Sequence, residues 1–257
     1  MSGHIYPAIA AMAHAERMAR HQEKRRRVLA FLRQELWTTP AVLAALLGTP
    51  ERPAQRQAVH RLVAGLVRDG LATTELLPTG QQVIGITPTG QAEAAALVGK
   101  APIPRAYERG RIPAATLAHR IDAQALRVAC AKAGWSGWVY PDRLPVAEKA
   151  RWGHRPDAVA TTPGGLRVAV ECERTVKTAK RYRFVIGRHL AQIAAGMYAH
   201  VIYACPTPAL AAAVAAVVHG LGHVVVDGVD KLLGEGELAR FDFLTYDEVP
   251  SWTGKEP

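Results

Sequence analysis

Three carboxylates are spaced so that a turn of chain can gather them. Asp157 follows Pro156, and after thirteen intervening positions comes Glu171-Cys172-Glu173. Side chains alternate sides along a strand. Glu171 and Glu173 therefore share one side with Ala169, while Val168, Val170 and Cys172 face the core on the other. Residues 156–161 and 166–173 read as two strands joined by Thr162-Pro163-Gly164-Gly165, a hairpin turn that can set Asp157 beside both glutamates. Carboxylates brought together repel unless a cation or a proton intervenes. Mg²⁺ or Mn²⁺ suits oxygen ligands and keeps waters for chemistry. One such water could be activated and the charge of a phosphoryl group neutralised. Asp157, Glu171 and Glu173 are together the candidate oxygen ligands for such an ion.

The elements around that hairpin decide whether it can work. Residues 116–133 read as a helix stopped at Gly134, 135–139 as a short strand, and 177–195 as a long basic helix. A strand at 200–204, an Ala/Val helix at 208–219 and a strand at 223–226 follow. A hairpin followed by β-α-β-α-β implies a mixed sheet flanked by helices. The basic helix carries Lys180, Arg181, Arg183 and Arg188, read as phosphate contacts. Trp135 reads as core, while Trp138 and Trp152 are open to stacking on unpaired bases. Tyr182 and Tyr198 are nucleophile candidates only for a covalent nick.

The first part of the chain has a different order. Residues 1–22 read as an arm or an added helix. Helices are expected at 23–36, at 41–47 behind Thr39-Pro40, and at 54–68 up to Gly70. Short strands at 71–77 and 82–87 flank Pro78-Thr79-Gly80, and a helix closes the segment at 88–98. Three helices, a ribbon and a helix is the order of a winged helix-turn-helix, whose third helix enters the major groove. That helix carries Arg56, Gln57, His60, Arg61 and Arg68, residue types that read base edges or hold phosphates. A solvated face is the competing reading, as it is for the run Lys24–Arg27. Residues 100–113, with three prolines and four basic residues, read as a linker.

The chain has 257 residues, 32 Lys/Arg against 22 Asp/Glu, and a net charge of +10. Residues 1–112 hold 15 Lys/Arg against 8 Asp/Glu, a basic excess that points to a polyanion partner, most often nucleic acid. A composition 49% hydrophobic and 21% charged excludes disorder as the main state. No apolar run reaches membrane length; the nearest, Thr207–Gly222, is short and Ala-rich. No signal peptide is evident, and Cys130, Cys172 and Cys205 lie far apart without CxxC spacing. A reducing cytoplasm is expected. A zinc site from His154, Cys172, Cys205 and His223 matches no zinc spacing. There is no P-loop and no GxSxG context.

The stretches "RPDAV" and "VAVECERT" resemble the Pro-Asp and Asp/Glu-x-Lys signature of the PD-(D/E)xK restriction-endonuclease-like superfamily. The resemblance implies metal binding by Asp157 and Glu171. Glu173 stands where the superfamily usually has Lys, although some active members carry Glu there; Lys177, Lys180 or Arg174 could then supply the positive charge. His119 and Asp122 are candidates for a further helical residue of the site. With the winged-helix order upstream, "LAHRIDAQALRVACAKAG" and "KTAKRYRFVIGRHL", most of residues 23–226 resembles the plasmid replication-relaxation family. It is also similar to relaxases of mobilisable plasmids that use a restriction-endonuclease-like fold. The expected fold is α+β: an N-terminal winged helix-turn-helix at 23–99 and a nuclease-like α/β domain with a mixed sheet at 114–257. The resemblance implies a metal-dependent endodeoxyribonuclease, nicking or relaxase-like, acting on plasmid or mobile-element DNA. Its catalytic candidates are Asp157, Glu171, Glu173, Lys177 and His119. The alternative is a non-catalytic relaxosome accessory protein or transcriptional regulator. Partners would be DNA and other relaxosome proteins, with no membrane; a homodimer is compatible with either reading.

Overall fold

The period of Val28, Leu29 and Leu32 belongs to one long helix, α1 (Ile5–Glu35), that buries all three side chains. The segment expected as an arm is thus continuous with this helix from Ile5 onward. The computed structural model describes the backbone of residues 5–48, 53–101 and 103–254, and the side chains among them except 5–13 and 53–56. The protein is α+β, and its chain divides into two compact units, Met1–Gln124 and Ala125–Pro257. Among the described residues, no helix is long and apolar enough to cross a membrane.

In the first unit, Leu36 takes a left-handed conformation (φ 66°) that ends α1 and turns the chain into β1 (Trp37–Thr38). Helix α2 (Pro40–Leu46) starts where Thr39 accepts a hydrogen bond from the Val42 N–H, with Pro40 inside the first turn. Helix α3 (Pro53–Arg68), β2 (Ala72–Leu76), β3 (Gln82–Ile86) and α4 (Pro88–Leu97) follow in the expected order. The ribbon has three strands rather than two, because β1 pairs antiparallel with β3 to give the order β1-β3-β2.

Residues 100–113 do not behave as a free linker. The Tyr107 hydroxyl bonds Glu75 at 2.5 Å, and its ring lies over Gly85, where a side chain would collide with it. Helix α5 (Ala114–Lys132) begins in this unit. Leu117 joins Trp37, Leu77 and Val83 in one apolar cluster. The buried Gln124 amide donates to the Trp37 carbonyl at 2.8 Å and accepts from the Thr38 hydroxyl at 2.8 Å. The boundary therefore falls inside α5, between residues 124 and 125, and not at residue 114.

The second unit is built on a five-stranded sheet, from β4 (Ser136–Val139), β5 (Ala158–Thr161), β6 (Arg167–Cys172), β7 (His200–Cys205) and an edge strand, Phe241–Thr245. A short helix, α6 (Val146–Lys149), lies in the polar stretch before β5. The β5–β6 pair is the expected antiparallel hairpin; Gly165 adopts φ +82° in its turn, and the Thr162 hydroxyl accepts from the Leu166 N–H. Helix α7 (Ala179–Ala194) carries the chain back to β7, which runs parallel to β6. It starts later than expected because Thr178 caps it, accepting from the Arg181 N–H at 3.3 Å, so Lys177 lies ahead of the helix.

After α8 (Pro208–His219), β8 (His223–Val226) leaves the main sheet and pairs with β9 (Val229–Leu232). A last short helix, α9 (Glu235–Leu238), leads to β10 (Phe241–Thr245), which runs parallel to β7 at the edge of the main sheet, whereas 223–226, expected as a strand of that sheet, is not part of it. The main sheet is thus mixed, in the order β10-β7-β6-β5-β4. Tyr182, Ile186 and Leu190 of α7 pack with Ala169, Val201, Tyr203, Val214 and Phe241 in one core. Gly187 lies on the same helix and leaves room for the Val225 carbonyl of β8; any side chain there would strike that backbone.

Candidate metal centre

Alternation along β6 puts Ala169, Glu171 and Glu173 on one side, as the sequence implies. Both sides of the strand are buried, however, and the glutamate side is the one that α7 covers. Glu171 and Glu173 consequently stand between sheet and helix, and burial of a charged group requires compensating partners.

Glu171 meets two imidazoles. His154, in the loop before β5, places Nε2 2.6 Å from Glu171 Oε1. His189, on the buried stripe of α7, places Nε2 3.1 Å from the same oxygen. The two rings are edge-to-face at 4.9 Å. Among the described residues, His154, Glu171 and His189 are the group whose ligand atoms could hold a metal ion, all within 4.8 Å of one another. Burial opposes ionisation of Glu171, but the bond from His154 and the nearby His189 outweigh it and hold the carboxyl below its usual range. Burial also lowers the affinity of the His189 ring for a proton, against the pull of Glu171.

Further hydrogen bonds behind the ring fix His189. Its Nδ1 lies 2.6 Å from the Tyr198 hydroxyl, which donates to Gln192 Oε1 at 2.7 Å. The Gln192 amide nitrogen donates to the His154 carbonyl at 2.6 Å. His189 Nε2 is buried, and although Glu171 Oε1 is 3.1 Å away, the contact lacks hydrogen-bond geometry; the nitrogen has no hydrogen-bond partner.

The other expected site residues lie outside this group of three. Asp157 does not join the three; its Oδ2 accepts from the Cys172 N–H at 2.8 Å, tying the hairpin together. Glu173 is buried and binds the Lys177 ammonium at 2.8 Å and the Tyr182 hydroxyl at 3.2 Å. Lys177 is thus the residue that brings positive charge to Glu173, and it does so from the loop before α7. His119 and Asp122 are partly buried in the first unit. Tyr182 and Tyr198 are buried, with hydroxyls engaged as donors, which argues against either as a nucleophile.

The histidine–cysteine zinc set does not assemble. Cys172 faces away from Glu171 across the strand, Cys205 is in the α7 core, and His223 pairs with exposed Asp230 at 3.3 Å. All three cysteines are free and buried. Trp135 is buried as expected; Trp152 is partly buried, packs on the core and stacks on Tyr198 with ring centroids 6.5 Å apart.

The sequence reading misses His189 and assigns His154 no role. The available signal is position: His189 lies on the stripe of Tyr182, Ile186 and Leu190, which faces the strand side carrying Glu171.

On α3, Gln57, His60, Arg61 and Arg68 are exposed, whereas the Arg56 side chain lies outside the described residues. Arg61 lines a groove of about 400 Å³ with Arg17, Arg20, His21 and Lys24 of α1. Of the run Lys24–Arg27, Arg25 pairs with Asp69, Arg26 with Glu23, and Arg27 donates to the Leu46 carbonyl at the end of α2. On α7, Lys180, Arg181 and Arg183 are exposed; Lys180 and Arg183 border a recess of about 300 Å³ with Phe184 and Arg188. Comparison with protein-family models, with curated proteins and with solved structures finds no match for this chain.

Proposed function

We propose that the chain acts on DNA, with phosphodiester cleavage in the second unit and DNA held by the first, in the processing of plasmid or mobile-element DNA. The observation that carries this reading is the glutamate side of β6. Glu171 is gathered there with two imidazoles, and two residues on, Glu173 fixes an ammonium at 2.8 Å. A carboxylate centre with a nearby amine is the equipment of hydrolytic phosphate chemistry, and the amine returns here by way of Lys177 despite Glu at position 173.

Each residue has a definable task in that reading. Glu173 is buried and orients the Lys177 ammonium, which at 44% exposure remains open to a phosphate oxygen. Asp157 holds the hairpin register through the Cys172 N–H. His154, 15% exposed, is the most accessible member of the centre and faces any incoming substrate first. A bound divalent ion would supply Lewis acidity and a more acidic water. The order α5-β4-β5-β6-α7-β7 with its mixed sheet supports a nuclease-like architecture. The helix–ribbon–helix order and the cations around α3 support a winged helix on DNA.

The test is cleavage of supercoiled plasmid with Mg²⁺, Mn²⁺ or Zn²⁺ by the wild type, Glu171→Ala and Lys177→Met. Open circles from the wild type, lost in Glu171→Ala, are expected. A band shift of the same DNA should weaken in Arg61→Ala, with a shallower salt dependence. Retained DNA binding without cleavage in any metal would overturn the enzyme and leave a relaxosome accessory protein or regulator. Loss of both activities from the wild type would overturn the whole reading.

A further inference from the structure

The hydrogen-bond chain behind His189 has a determinate polarity. A backbone carbonyl can only accept, so the Gln192 group facing the His154 carbonyl is its NH₂, and Gln192 Oε1 faces Tyr198. The Tyr198 hydroxyl has one hydrogen, and it goes to Gln192 Oε1. Towards His189 that oxygen must therefore accept, and His189 Nδ1 carries a proton. In the neutral ring Nε2 is then bare. It is fully buried, it lies 3.1 Å from a carboxylate oxygen, and it is satisfied by no hydrogen bond. Two acceptors held face to face in a dry site are unfavourable unless a cation or a proton lies between them, and the contact does not have the geometry of a hydrogen bond.

We propose that His154 Nε2, Glu171 Oε1 and His189 Nε2 form a binding centre for a divalent first-row transition ion of the Zn²⁺ type, and not for Mg²⁺. This deepens the reading above by naming the metal class that the site accepts. Mg²⁺ demands oxygen ligands and retains most of its waters, whereas imidazole nitrogen suits Zn²⁺ and its neighbours. Bonds of roughly 2.0–2.2 Å in tetrahedral array place ligand atoms about 3.4 Å apart. The His189–Glu171 distance of 3.1 Å is already close to that value. His154 starts at 2.6 Å and belongs to a loop, so it has to withdraw by only about 1 Å. The Tyr198 hydroxyl on His189 Nδ1 fixes the ring as outer partners of metal-bound histidines do. Three protein ligands leave further positions for water or substrate.

The experiment uses the full chain stripped by a chelator and dialysed, then titrated with Zn²⁺, Co²⁺ and Mg²⁺ by calorimetry, with metal content measured after gel filtration. One Zn²⁺ or Co²⁺ per chain is expected, with d–d absorption for Co²⁺ and no saturable Mg²⁺ binding at millimolar concentration. His154→Asn, in a loop and partly exposed, should weaken Zn²⁺ binding more than about 100-fold, beyond any loss that a lower metal-free thermal melt accounts for. Tyr198→Phe, which frees the ring to take its other tautomer, should weaken it about 10–100-fold. Mg²⁺ binding as tightly as Zn²⁺, or Zn²⁺ binding undiminished in both variants, overturns the proposal. Zn²⁺ held by His154 and His189 without DNA cleavage sinks the nuclease and leaves the centre. Mg²⁺-dependent cleavage unimpaired in His154→Asn sinks the centre and leaves the nuclease.

Discussion

Replacing Lys177 by Met removes the ammonium and keeps most of the stem. The Glu173 carboxylate is then left at 3% exposure with the Tyr182 hydroxyl, at 3.2 Å, as the remaining partner among those described for it. A charge-assisted hydrogen bond is worth about 1.5–3 kcal/mol when buried. Lys177 is 44% exposed, so water screens its half of the pair and the figure falls to about 1–2 kcal/mol. Glu173→Gln should cost a similar amount. The double variant should cost less than the sum, with a coupling energy of about 1 kcal/mol. Urea denaturation of the four proteins, repeated in high salt, measures this. Because Glu173 is shielded by α7, most of the coupling should survive salt. A coupling below about 0.3 kcal/mol would refute the reasoning: Lys177 would be solvated and unavailable as an oriented cation.

Three further outcomes follow from the same geometry. The Glu171 carboxyl is held below its usual range, so its stabilising contribution is complete above the unfolded value of about 4.3 and drains as pH falls towards the folded one. Buried His189, with its proton affinity lowered, acts in the same direction from pH about 6.5 downward. Glu171→Gln should therefore show a flatter acid limb in pH-dependent melting; an unchanged limb would refute the linkage. Cys130, Cys172 and Cys205 are buried, and burial pushes the thiols of Cys130 and Cys205 up to about 12. A disulfide reagent should label none of them in the native protein and all three in denaturant; rapid native labelling would contradict the packing. Gly187→Ala should destabilise the second unit by about 1–3 kcal/mol, because the added carbon meets the Val225 carbonyl rather than a yielding side chain. A neutral effect would mean that β8 does not lie against α7.

Most elements are legible because their ends carry explicit chemistry. Thr39, Thr178 and Thr207 each cap a helix, and Pro40 and Pro208 follow two of them. The β5–β6 hairpin is announced by its Pro-Gly-Gly turn. Strand β1 is not legible, since two residues after a helix are too few to show alternation. The β8–β9 hairpin has a signal that the sequence reading leaves unused. Asp227 (φ 48°) and Gly228 (φ 85°) form the two-residue left-handed turn that Asp-Gly favours. That turn diverts β8 from the sheet, and β10 takes the edge beside β7 instead. His189 is concealed for a different reason. A histidine on an apolar stripe reads as core until the strand opposite is known to carry an acid, and that pairing comes from tertiary packing, not from spacing.

The same packing changes how the carboxylates are to be understood. Spacing alone suggests that Asp157, Glu171 and Glu173 converge and must share one cation. In the folded chain each has partners of its own: the Cys172 N–H for Asp157, two imidazoles for Glu171, an ammonium and a phenol for Glu173. Mutual repulsion is relieved one residue at a time, so it no longer requires a shared ion. What remains unsatisfied is a nitrogen, His189 Nε2, held with a lone pair by Tyr198 and Gln192. The affinity of this site should then be decided by the imidazole more than by the acids. Asp157→Asn keeps an acceptor oxygen for the Cys172 N–H, and should leave metal binding nearly intact. A substitution at His189 should abolish it. Under the reading from spacing alone, the order of those two effects would be reversed.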